Sequence, residues 1–390
     1  MARKKSPNGF GSIRKKEVNG NVYYEGRYTD PILHKQKSVS ATTERECRQK
    51  LKEIFAKITT GVYVTPNKKR IKDWAVEWLD SKENLKPGTR ADYQRHINNY
   101  IVPQLGMIYL TDLRPLHCQD LVQHVKREGR DGKKLSAKTI NNIIATLHSM
   151  LDTAVRLELI PSNPADKLEK PKMVKKPIKV LDKDVQAAFI AAVESNPYRD
   201  IYILGMHTGA RISEVLGLRW SRVNLQAGEI IIDAQLQRQR KGVTTRTLAS
   251  TKTDNVRTVV VPDLVVAMLK SVRLRQSEAQ LRAGELWHNE YGLVFTREDG
   301  SPMPHTTISN DFKRIATSIG KPDLSFHALR HTYATDEIAS GTDPKTVADT
   351  LGHSTVAMTM DVYAAASTDT KRAAAKRRQA EFSPSKLKSN

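Results

Sequence analysis

The second half of the chain carries four separated groups of residues whose types suit an anionic phosphate. In the first group Gly209 permits a tight turn, and Arg211 is followed one helical turn later by Glu214. A guanidinium offers a planar pair of donors that matches two phosphate oxygens, and a carboxylate one turn away can orient a neighbouring group. Taken by itself, this group is better explained as an exposed i,i+3 Arg–Glu ion pair worth about 0.2–0.5 kcal/mol.

The other three groups add a lysine, two histidines, a second arginine and a tyrosine. Lys252 lies in a polar turn, where the tip of a β-hairpin would let it donate a proton, although most hairpin lysines are only solvated. His327 and Arg330 are three residues apart and would share one face of a helix. His353 ends a Leu-Gly-His triplet, and Tyr363 stands ten residues beyond it.

The spacing of His327 and His331 leaves a second interpretation open. An i,i+4 pair of histidines is typical of a zinc-binding helix, but the glutamate that a metalloprotease needs is absent and Ala328 stands in its place. Each histidine taken singly is more simply explained as a core residue. We therefore expect no metal site.

Mixed helix and strand patterns must position these groups. From about Val180 the sequence predicts helices and two clear strands, at Asp182–Val193, Arg199–His207, Glu229–Ile232, Arg257–Val261 and from Asp263 onward. The basic tail from Thr370 predicts a terminal helix that packs on this molecule or on a neighbour. We expect a mainly α domain with a small β-sheet over residues 180–390.

The first sixty residues carry 14 Lys or Arg against 6 Asp or Glu. Three short β patterns, with the turn signal Asn19-Gly20 between the first two, precede a helix that opens with the capping pair Thr43 and Glu46. We expect a three-stranded sheet and one helix over residues 1–62. Its basic side chains either enter a DNA groove or only face solvent, and the candidates for DNA contact are Arg14, Lys15, Lys16 and Arg27.

Residues 66–168 show helical patterns only. An apolar stripe from Ile71, a helix that opens at Pro87, a third over Leu116–Lys126 and a fourth from Ser136 predict a four-helix bundle. Trp74 and Trp78 are interpreted as core residues rather than base-stacking platforms. The basic side chains expected on DNA are Arg90, Arg95, Lys133, Lys134 and Lys138.

Residues 169–179 predict an extended, charged linker, because they contain two prolines and five lysines with little apolar surface to bury. The linker separates the bundle from the C-terminal domain. The sequence thus predicts three domains in one chain.

The chain of 390 residues has a net charge of +22 at pH 7, which favours a polyanionic partner, nucleic acid ahead of a membrane surface. Cys47 and Cys118 lie far apart without a CxxC pair, which argues against a disulfide framework and indicates a reducing cytosol. The sequence shows no apolar run of about 18 residues and no secretory signal pattern, so we expect no membrane association.

The order of the four groups resembles that of the tyrosine recombinases, also called phage-type integrases. TGARISEVLGLRW is similar to the family's first arginine box, and HALRHTYAT and LGHSTVAMTMDVY are similar to its second, including the ten-residue interval from histidine to tyrosine. The likeness extends to the bundle as a core-type DNA-binding domain and to the N-terminal sheet as an arm-binding domain. One departure is Ala365, where many relatives have histidine.

The resemblance implies a site-specific recombinase that cuts and rejoins double-stranded DNA to integrate and excise a mobile element. Tyr363 would form a 3′-phosphotyrosyl bond, which stores the energy of the broken bond and requires neither ATP nor a metal. The residues that the motifs assign to phosphate binding, proton transfer and support are Arg211, Lys252, His327, Arg330, His353 and Glu214. Tyr333 and Tyr291 are rival nucleophiles, but neither has the required interval to the Gly-His pair.

The resemblance also implies partners and a location. We expect a homotetramer on DNA in the cytoplasm of a bacterial host, associated with the nucleoid, with an excisionase and a host DNA-bending protein as optional partners. No cofactor is expected. A type IB topoisomerase-like enzyme and a regulator that binds DNA without cutting it are the alternatives. Phage and conjugative transposon origins stay open.

Overall fold

The computed structural model describes residues 12–366, except 19, 62, 64, 66–67, 130–131, 175–176, 238–246 and 251–255. The chain divides into two compact units, residues 1–175 and 176–390. The division falls inside the segment 169–179 that the sequence predicts to be a linker. The further division of the first unit near residue 62 stays a prediction, and the predicted helix after Thr370 lies outside the described residues.

The first unit begins with an antiparallel sheet and a helix that covers one of its faces. The strands follow the order β1-β2-β3, and the elements are β1 (Ser12–Val18), β2 (Asn21–Thr29), β3 (Gln36–Ala41) and α1 (Glu44–Thr59). Thr43 caps α1, because its side chain accepts a hydrogen bond of 3.2 Å from the N–H of Glu46. Gly26 allows the helix to approach closely, since a Cβ atom there would lie 2.8 Å from Cδ1 of Leu51. The predicted sheet and helix are confirmed.

The turn between β1 and β2 has the two-residue length that the sequence predicts. Val18 pairs with Asn21, so only residues 19 and 20 connect the strands. Gly20 has a φ of 77°, in the left-handed region that favours glycine, whereas Asn19 lies outside the described residues. The register of the hairpin is therefore the one that the turn signal specifies.

Helices follow in the rest of the first unit. They are α2 (Ile71–Asp80), α3 (Pro87–His96), α4 (Val102–Leu105), α5 (Pro115–Glu128) and α6 (Ala137–Arg156). A π-helical turn, Ile97–Ile101, joins α3 to α4, so the single predicted helix from Pro87 changes its hydrogen-bond pattern midway.

Two tryptophans of α2 hold the bundle together from inside. Trp74 and Trp78 are 3% and 0% exposed, which confirms their interpretation as core residues. Their indole N–H groups donate to the carbonyl oxygen of Met150 and to Oγ1 of Thr153, each at 3.1 Å. Both acceptors belong to α6, so α2 and α6 are joined by polar contacts as well as by apolar packing.

A buried carboxylate ties the segment after α1 back to the sheet. Asp30 has a side chain that is 0% exposed, and it accepts hydrogen bonds from the N–H groups of Ile32 and Leu33 and from the hydroxyls of Tyr63 and Thr65. Burial acts to raise the pKa of Asp30, but these hydrogen bonds outweigh it and lower the pKa. An ionised side chain therefore holds this segment in place.

The described part of the second unit is mainly helical and contains two small sheets. Its helices are α7 (Lys183–Val193), α8 (Arg199–Thr208), α9 (Ile212–Leu216), α10 (Asp263–Ala283), α11 (His305–Ser318), α12 (His327–Ala339), α13 (Pro344–Leu351) and α14 (Val356–Ala366). Its strands are β4 (Val223–Asn224), β5 (Glu229–Ile232), β6 (Ala234–Leu236), β7 (Leu248–Ser250) and β8 (Arg257–Val260). They form a β4-β5-β8 sheet and a β6-β7 pair, both antiparallel. The expected mainly α fold with a small sheet is confirmed.

An aromatic cluster forms the centre of the second unit. The rings of Phe189, Tyr202, Phe312 and Phe326 lie with neighbouring centroids 5.2–6.2 Å apart. The Tyr202 hydroxyl, buried with them, hydrogen-bonds to the carboxylate of Asp311 at 2.7 Å. This core supports α8 and α12, the two helices whose ends carry the site described next.

Candidate active site

Helix α9 places a buried carboxylate directly beneath a partly exposed arginine. Arg211 is the N-cap of α9, and its backbone N–H donates to Oε2 of Glu214 at 2.9 Å while its Nη1 donates to Oε1 at 2.7 Å. The side chain of Glu214 is 1% exposed and that of Arg211 is 29% exposed. The simpler interpretation of this segment as an exposed ion pair is therefore wrong.

Arg330 is a buried cation that joins two loops of the site. It is 1% exposed, and its Nη1 and Nη2 donate to the carbonyl oxygens of Gly209 at 2.9 Å and Leu351 at 2.7 Å. Burial, and then the charge of Arg211, lower the pKa of Arg330, but the group stays cationic at neutral pH. Arg330 thus connects the turn before α9 to the end of α13.

Arg257 is a third arginine of this cluster, and sequence reasoning missed it. Its Nη2 donates to Oε2 of Glu214 at 2.6 Å, and its Nε donates to the carbonyl oxygen of Thr350 at 2.6 Å. The signal was present in the strand pattern, because Arg257 shares the inward phase of β8 with the buried Val259 and Val261. A charged residue in an apolar phase indicates a buried partner.

The carboxylate of Glu214 stays ionised because two arginines bind it. Burial acts to raise its pKa, but the hydrogen bond and charge of Arg257, followed by those of Arg211, lower the pKa. Two guanidinium groups bind this carboxylate, and with Arg330 the cluster of three arginines and one carboxylate keeps an excess of two positive charges. Such an excess in a water-poor site suits a phosphate group.

The predicted histidines lie at the same cluster and are neutral at pH 7. Burial, and then neighbouring charges that include Arg330 and Arg211, lower the pKa values of His327 and His353 to about 4. The rings of His327 and His331 meet edge to face, with centroids 4.5 Å apart. A neutral imidazole can accept a proton or donate one hydrogen bond, depending on its tautomer.

Helix α14 carries Tyr363, and a hydrogen bond ties the start of this helix to the site. Nδ1 of His353 lies 2.7 Å from Oγ1 of Thr359, a residue that is fully buried. Tyr363 follows Thr359 by four residues, so the two side chains share one face of the helix. The adjacent Val362 is 4% exposed and packs with Leu351 of α13. The side chain of Tyr363 is partly exposed.

The rival tyrosines have other surroundings. A Cβ atom at Gly209 would lie 2.9 Å from Cδ1 of Tyr333, so this ring packs against the turn beside Arg211. Burial, and then the charge of Glu337, raise the pKa of Tyr333 to about 12, which disfavours the phenolate. Tyr291 lies in the segment between α10 and α11, and so belongs neither to α12, which carries His327, nor to the turn that carries His353.

Lys252 lies outside the described residues, so its place at the tip of a hairpin stays a prediction. On either side of its segment, Ser250 of β7 pairs with Ala234 of β6, and Arg257 of β8 pairs with Ile232 of β5.

The predicted DNA contacts of the sheet divide between its two faces. Arg14 and Lys16 alternate with Lys15 along β1, so Lys15 belongs to the opposite face. Arg27 of β2 shares the face of Arg14, because Arg14 pairs with Glu25, two residues from Arg27. Lys16 Nζ and Arg27 Nε each lie 3.0 Å from the carboxylate of Glu25, so this face is an ion-paired surface with Arg14 exposed beside it.

The candidate contacts of the bundle are of two kinds. Arg90 and Arg95 form ion pairs with Asp80 at 2.7 Å and Asp92 at 2.8 Å. The lysines around the start of α6 are exposed, and they are Lys133, Lys134 and Lys138. Exposed lysines can exchange bound counterions for phosphate groups, whereas the two arginines would first have to leave their carboxylates.

Neither a metal cluster nor a membrane-spanning helix is found among the residues that the structure describes. No group of three or more His, Cys, Asp and Glu side chains there could hold a metal ion. The helices of the same residues include none that is long and apolar enough to span a lipid bilayer.

Comparison with known protein families adds a second line of support. Residues 179–370 match the sequence profile of the Phage integrase family, and residues 71–125 match that of the phage integrase N-terminal SAM-like domain. The chain is 27% identical over 372 residues to a tyrosine recombinase XerC-like protein of Caldanaerobacter subterraneus subsp. tengcongensis, which covers 88% of this chain and 93% of the relative. It is 24% identical to the ICEBs1 integrase of Bacillus subtilis, over 73% of this chain and 74% of the relative.

Solved structures share the fold. The Tn1549 transposon integrase in complex with a circular intermediate DNA superposes with a TM-score of 0.67 at 22% identity, over 79% of this chain and 99% of that chain. A lambda integrase dimer bound to a core site superposes with a TM-score of 0.55 at 18% identity, over 93% of this chain and 96% of that chain.

Proposed function

Because this chain belongs to the phage integrase family of tyrosine recombinases, which cleave and rejoin DNA, we propose that Tyr363 is the nucleophile of its strand cleavage. The observation that carries the proposal is the cluster beside α14, in which three arginines and two neutral histidines converge. Tyr363 is joined to this cluster through the turn at His353 and the buried Thr359.

Arg211 would bind the scissile phosphate, and Arg211 and Arg330 would stabilise the charge that develops on it. Arg211 is the partly exposed member, so it is the guanidinium that can meet a DNA strand directly. Arg330 is fixed by two carbonyl oxygens, and from its buried position it would add positive potential at the phosphate. Because these groups are already oriented, little reorganisation is needed as the transition state forms.

The proposed cleavage balances one bond against another. The phenol oxygen of Tyr363 attacks phosphorus, the bond from phosphorus to the 5′ oxygen breaks, and a 3′-phosphotyrosyl bond remains. The proton of the phenol passes to a neutral imidazole, His327 or His353, and the departing 5′ oxygen takes a proton from Lys252. A 5′ hydroxyl of another strand reverses these steps, so rejoining needs no external energy source.

The other parts of the chain would select and hold the DNA. We assign arm sites to the sheet face with Arg14, Lys16 and Arg27, and core sites to the bundle. A homotetramer that exchanges strands in two steps is the proposed assembly, supported by the shared fold with a lambda integrase tetramer bound to a Holliday junction. Integration and excision of a mobile element at the bacterial nucleoid, aided by an excisionase and a DNA-bending protein, complete the proposal.

A nicked suicide substrate tests the nucleophile. Wild-type protein and two variants, Tyr363→Phe and Tyr333→Phe, are incubated in EDTA with DNA from the ends of the element, and covalent adducts are resolved on a denaturing gel. We expect the adduct from wild type and from Tyr333→Phe, and none from Tyr363→Phe. An adduct with Tyr363→Phe, or its loss with Tyr333→Phe alone, would overturn the assignment. Loss of the adduct only in EDTA would show that a metal is required.

A further inference from the structure

A buried arginine at the start of β8 contacts two segments that carry proposed catalytic residues. The side chain of Arg257 is 6% exposed, and its Nη2 donates to Oε2 of Glu214, the carboxylate that also binds the backbone and side chain of Arg211. Arg257 therefore shares the carboxylate of Glu214 with Arg211, the arginine proposed to bind the phosphate. The proposed mechanism does not use Arg257.

The other side of the same guanidinium lies under the turn that leads to His353. Its Nε donates to the carbonyl oxygen of Thr350 in the last turn of α13, at 2.6 Å. Gly352 ends this helix in a left-handed conformation, with a φ of 67°, and a Cβ atom there would lie 2.9 Å from Nη1 of Arg257. The turn before His353 is thus packed directly on the Arg257 side chain.

The end of α13 rests on two buried cations from different elements. Arg257 of β8 binds the carbonyl oxygen of Thr350, and Arg330 of α12 binds that of Leu351. Carbonyl groups at a helix C-terminus lack intrahelical partners and carry partial negative charge, so cations stabilise them there. The two arginines fix consecutive peptide groups and thereby the direction in which the chain enters His353.

We propose that Arg257 is a positioning residue that sets the distance between Arg211 and His353 on the scissile phosphate. The proposal rests on the proposed function, because it presumes that these two side chains bind that phosphate. Stability alone does not account for an arginine at this position. The next inward site of β8, Val259, and the buried Val261 just beyond the strand are filled by valine. A single guanidinium that divides its donors between two segments fixes their separation, which an apolar side chain cannot do.

The contacts also indicate which half of the reaction Arg257 supports. Its described partners, Glu214 and Thr350, lead to Arg211 and His353, the groups proposed to act on the phosphate. Loss of Arg257 is therefore expected to slow bond formation at phosphorus whatever the leaving group. Lys252, in contrast, is expected to matter only when the leaving group needs a proton.

The experiment measures single-turnover cleavage of the suicide substrate by Arg257→Met and Arg257→Lys, with DNA affinity and thermal midpoint recorded for each protein. The matched control is Arg219→Met, because Arg219 forms an ion pair with Asp233 at 2.7 Å. Asp233 also binds a second arginine, Arg222, and would still bind it in the variant, just as Glu214 would still bind Arg211 when Arg257 is replaced. We expect cleavage by Arg257→Met to fall about 100-fold, with DNA affinity within about twofold of wild type. The lysine variant should recover part of the rate, and the control should keep the wild-type rate.

A second substrate distinguishes loss of positioning of Arg211 and His353 on the phosphate from loss of proton donation to the leaving group. When sulfur replaces the bridging 5′ oxygen, the leaving group is a thiolate that departs without a proton. We expect Arg257→Met to be slowed by the same factor on both substrates, while Lys252→Ala is slowed on the oxygen substrate only. The proposal would be overturned if the cleavage rate of Arg257→Met recovered fully on the sulfur substrate. It would also be overturned if Arg257→Lys and Arg257→Met both cleaved the oxygen and the sulfur substrate at the wild-type rate.

Two further outcomes keep the proposals apart. If Arg257→Met does not fold, Arg257→Lys carries the test, because it keeps the charge but cannot reach Glu214 and Thr350 together. In that case a rate of Arg257→Lys equal to wild type would overturn the proposal. An adduct formed by Tyr363→Phe would instead refute the proposed function, whatever the Arg257 variants do.

Discussion

Asp30 in the first unit and Glu214 in the second are both buried carboxylates that stay ionised, but their partners differ in kind. Asp30 is bound mainly by neutral donors, the amides of Ile32 and Leu33 and the hydroxyls of Tyr63 and Thr65. Glu214 is bound by guanidinium groups from Arg211 and Arg257, and by one amide.

The difference distinguishes a carboxylate that fixes the path of the backbone from one that orients the cations of a binding site. Most donors to Asp30 are amides and hydroxyls of a turn and of the segment after α1, so its charge holds these two parts of the chain in place. The arginines that bind Glu214 have further N–H donors, and Arg211 is partly exposed. Glu214 therefore orients N–H groups that can bind an anion at the surface of the site. A buried carboxylate that orients cations is thus a better indicator of an anion site than burial by itself.

The largest expected effect comes from removing the charge of Glu214. In Glu214→Gln the amide keeps the shape but cannot bind two guanidinium groups as a carboxylate does, so Arg211 loses its orientation. We expect single-turnover cleavage to fall about 100-fold, whereas Asp30→Asn should cleave a core-site duplex within about twofold of wild type. Equal losses in the two variants would remove the distinction between the carboxylates.

The next effect is on local stability. Asp30→Asn places an amide N–H2 group among donors and leaves some of them unpaired, which is expected to cost about 1–3 kcal/mol. Hydrogen exchange of peptides covering residues 26–41 measures the change, with Tyr63→Phe as a milder variant that removes one hydroxyl at a cost of about 1 kcal/mol. Unchanged exchange in both variants would show that the Asp30 contacts contribute no net stability.

The third expected effect is a pH dependence that is stronger in the second unit than in the first, where burial lowers the pKa of a single histidine, His96. The pKa values of His327 and His353 are lowered to about 4 in the folded protein, so the unfolded chain takes up protons first as the pH falls. Stability of the second unit is therefore present above about pH 6.5 and is lost progressively toward about pH 4. Asp30 stays ionised over this range, and its contribution is lost only at lower pH, because its folded pKa is lowered.

Urea unfolding of the full chain at a series of pH values, followed by hydrogen exchange in each unit, checks this expectation. The variant His327→Gln cannot take up the proton, so the stability of its second unit should decline less steeply than that of wild type. The same decline in wild type and variant would assign the pH dependence to other groups.

Much of the site could be predicted from the sequence because its residues stand in short local patterns. The interval from Arg211 to Glu214 is one helical turn, and the structure closes it with two hydrogen bonds. The local pattern was misjudged on one point, since an exposed pair and a buried one have the same spacing. Burial is decided by what packs on the pair, and that comes from β8 and α13.

Arg257 shows where local patterns fail. Arg257 becomes part of the site only through its contacts with Glu214, 43 positions before it in the chain, and Thr350, 93 positions after it. A short window of sequence cannot reveal contacts over such separations.

The sequence by itself determined the elements, the two-residue turn at Gly20, the tryptophan core of the bundle and the residue types at the site. These depend on periodicity, capping and turn chemistry, which act within a few residues. Only the tertiary structure decided which cations share Glu214 and which histidines become neutral. Those outcomes depend on desolvation and on charges brought together from distant segments, and both arise only when the chain packs.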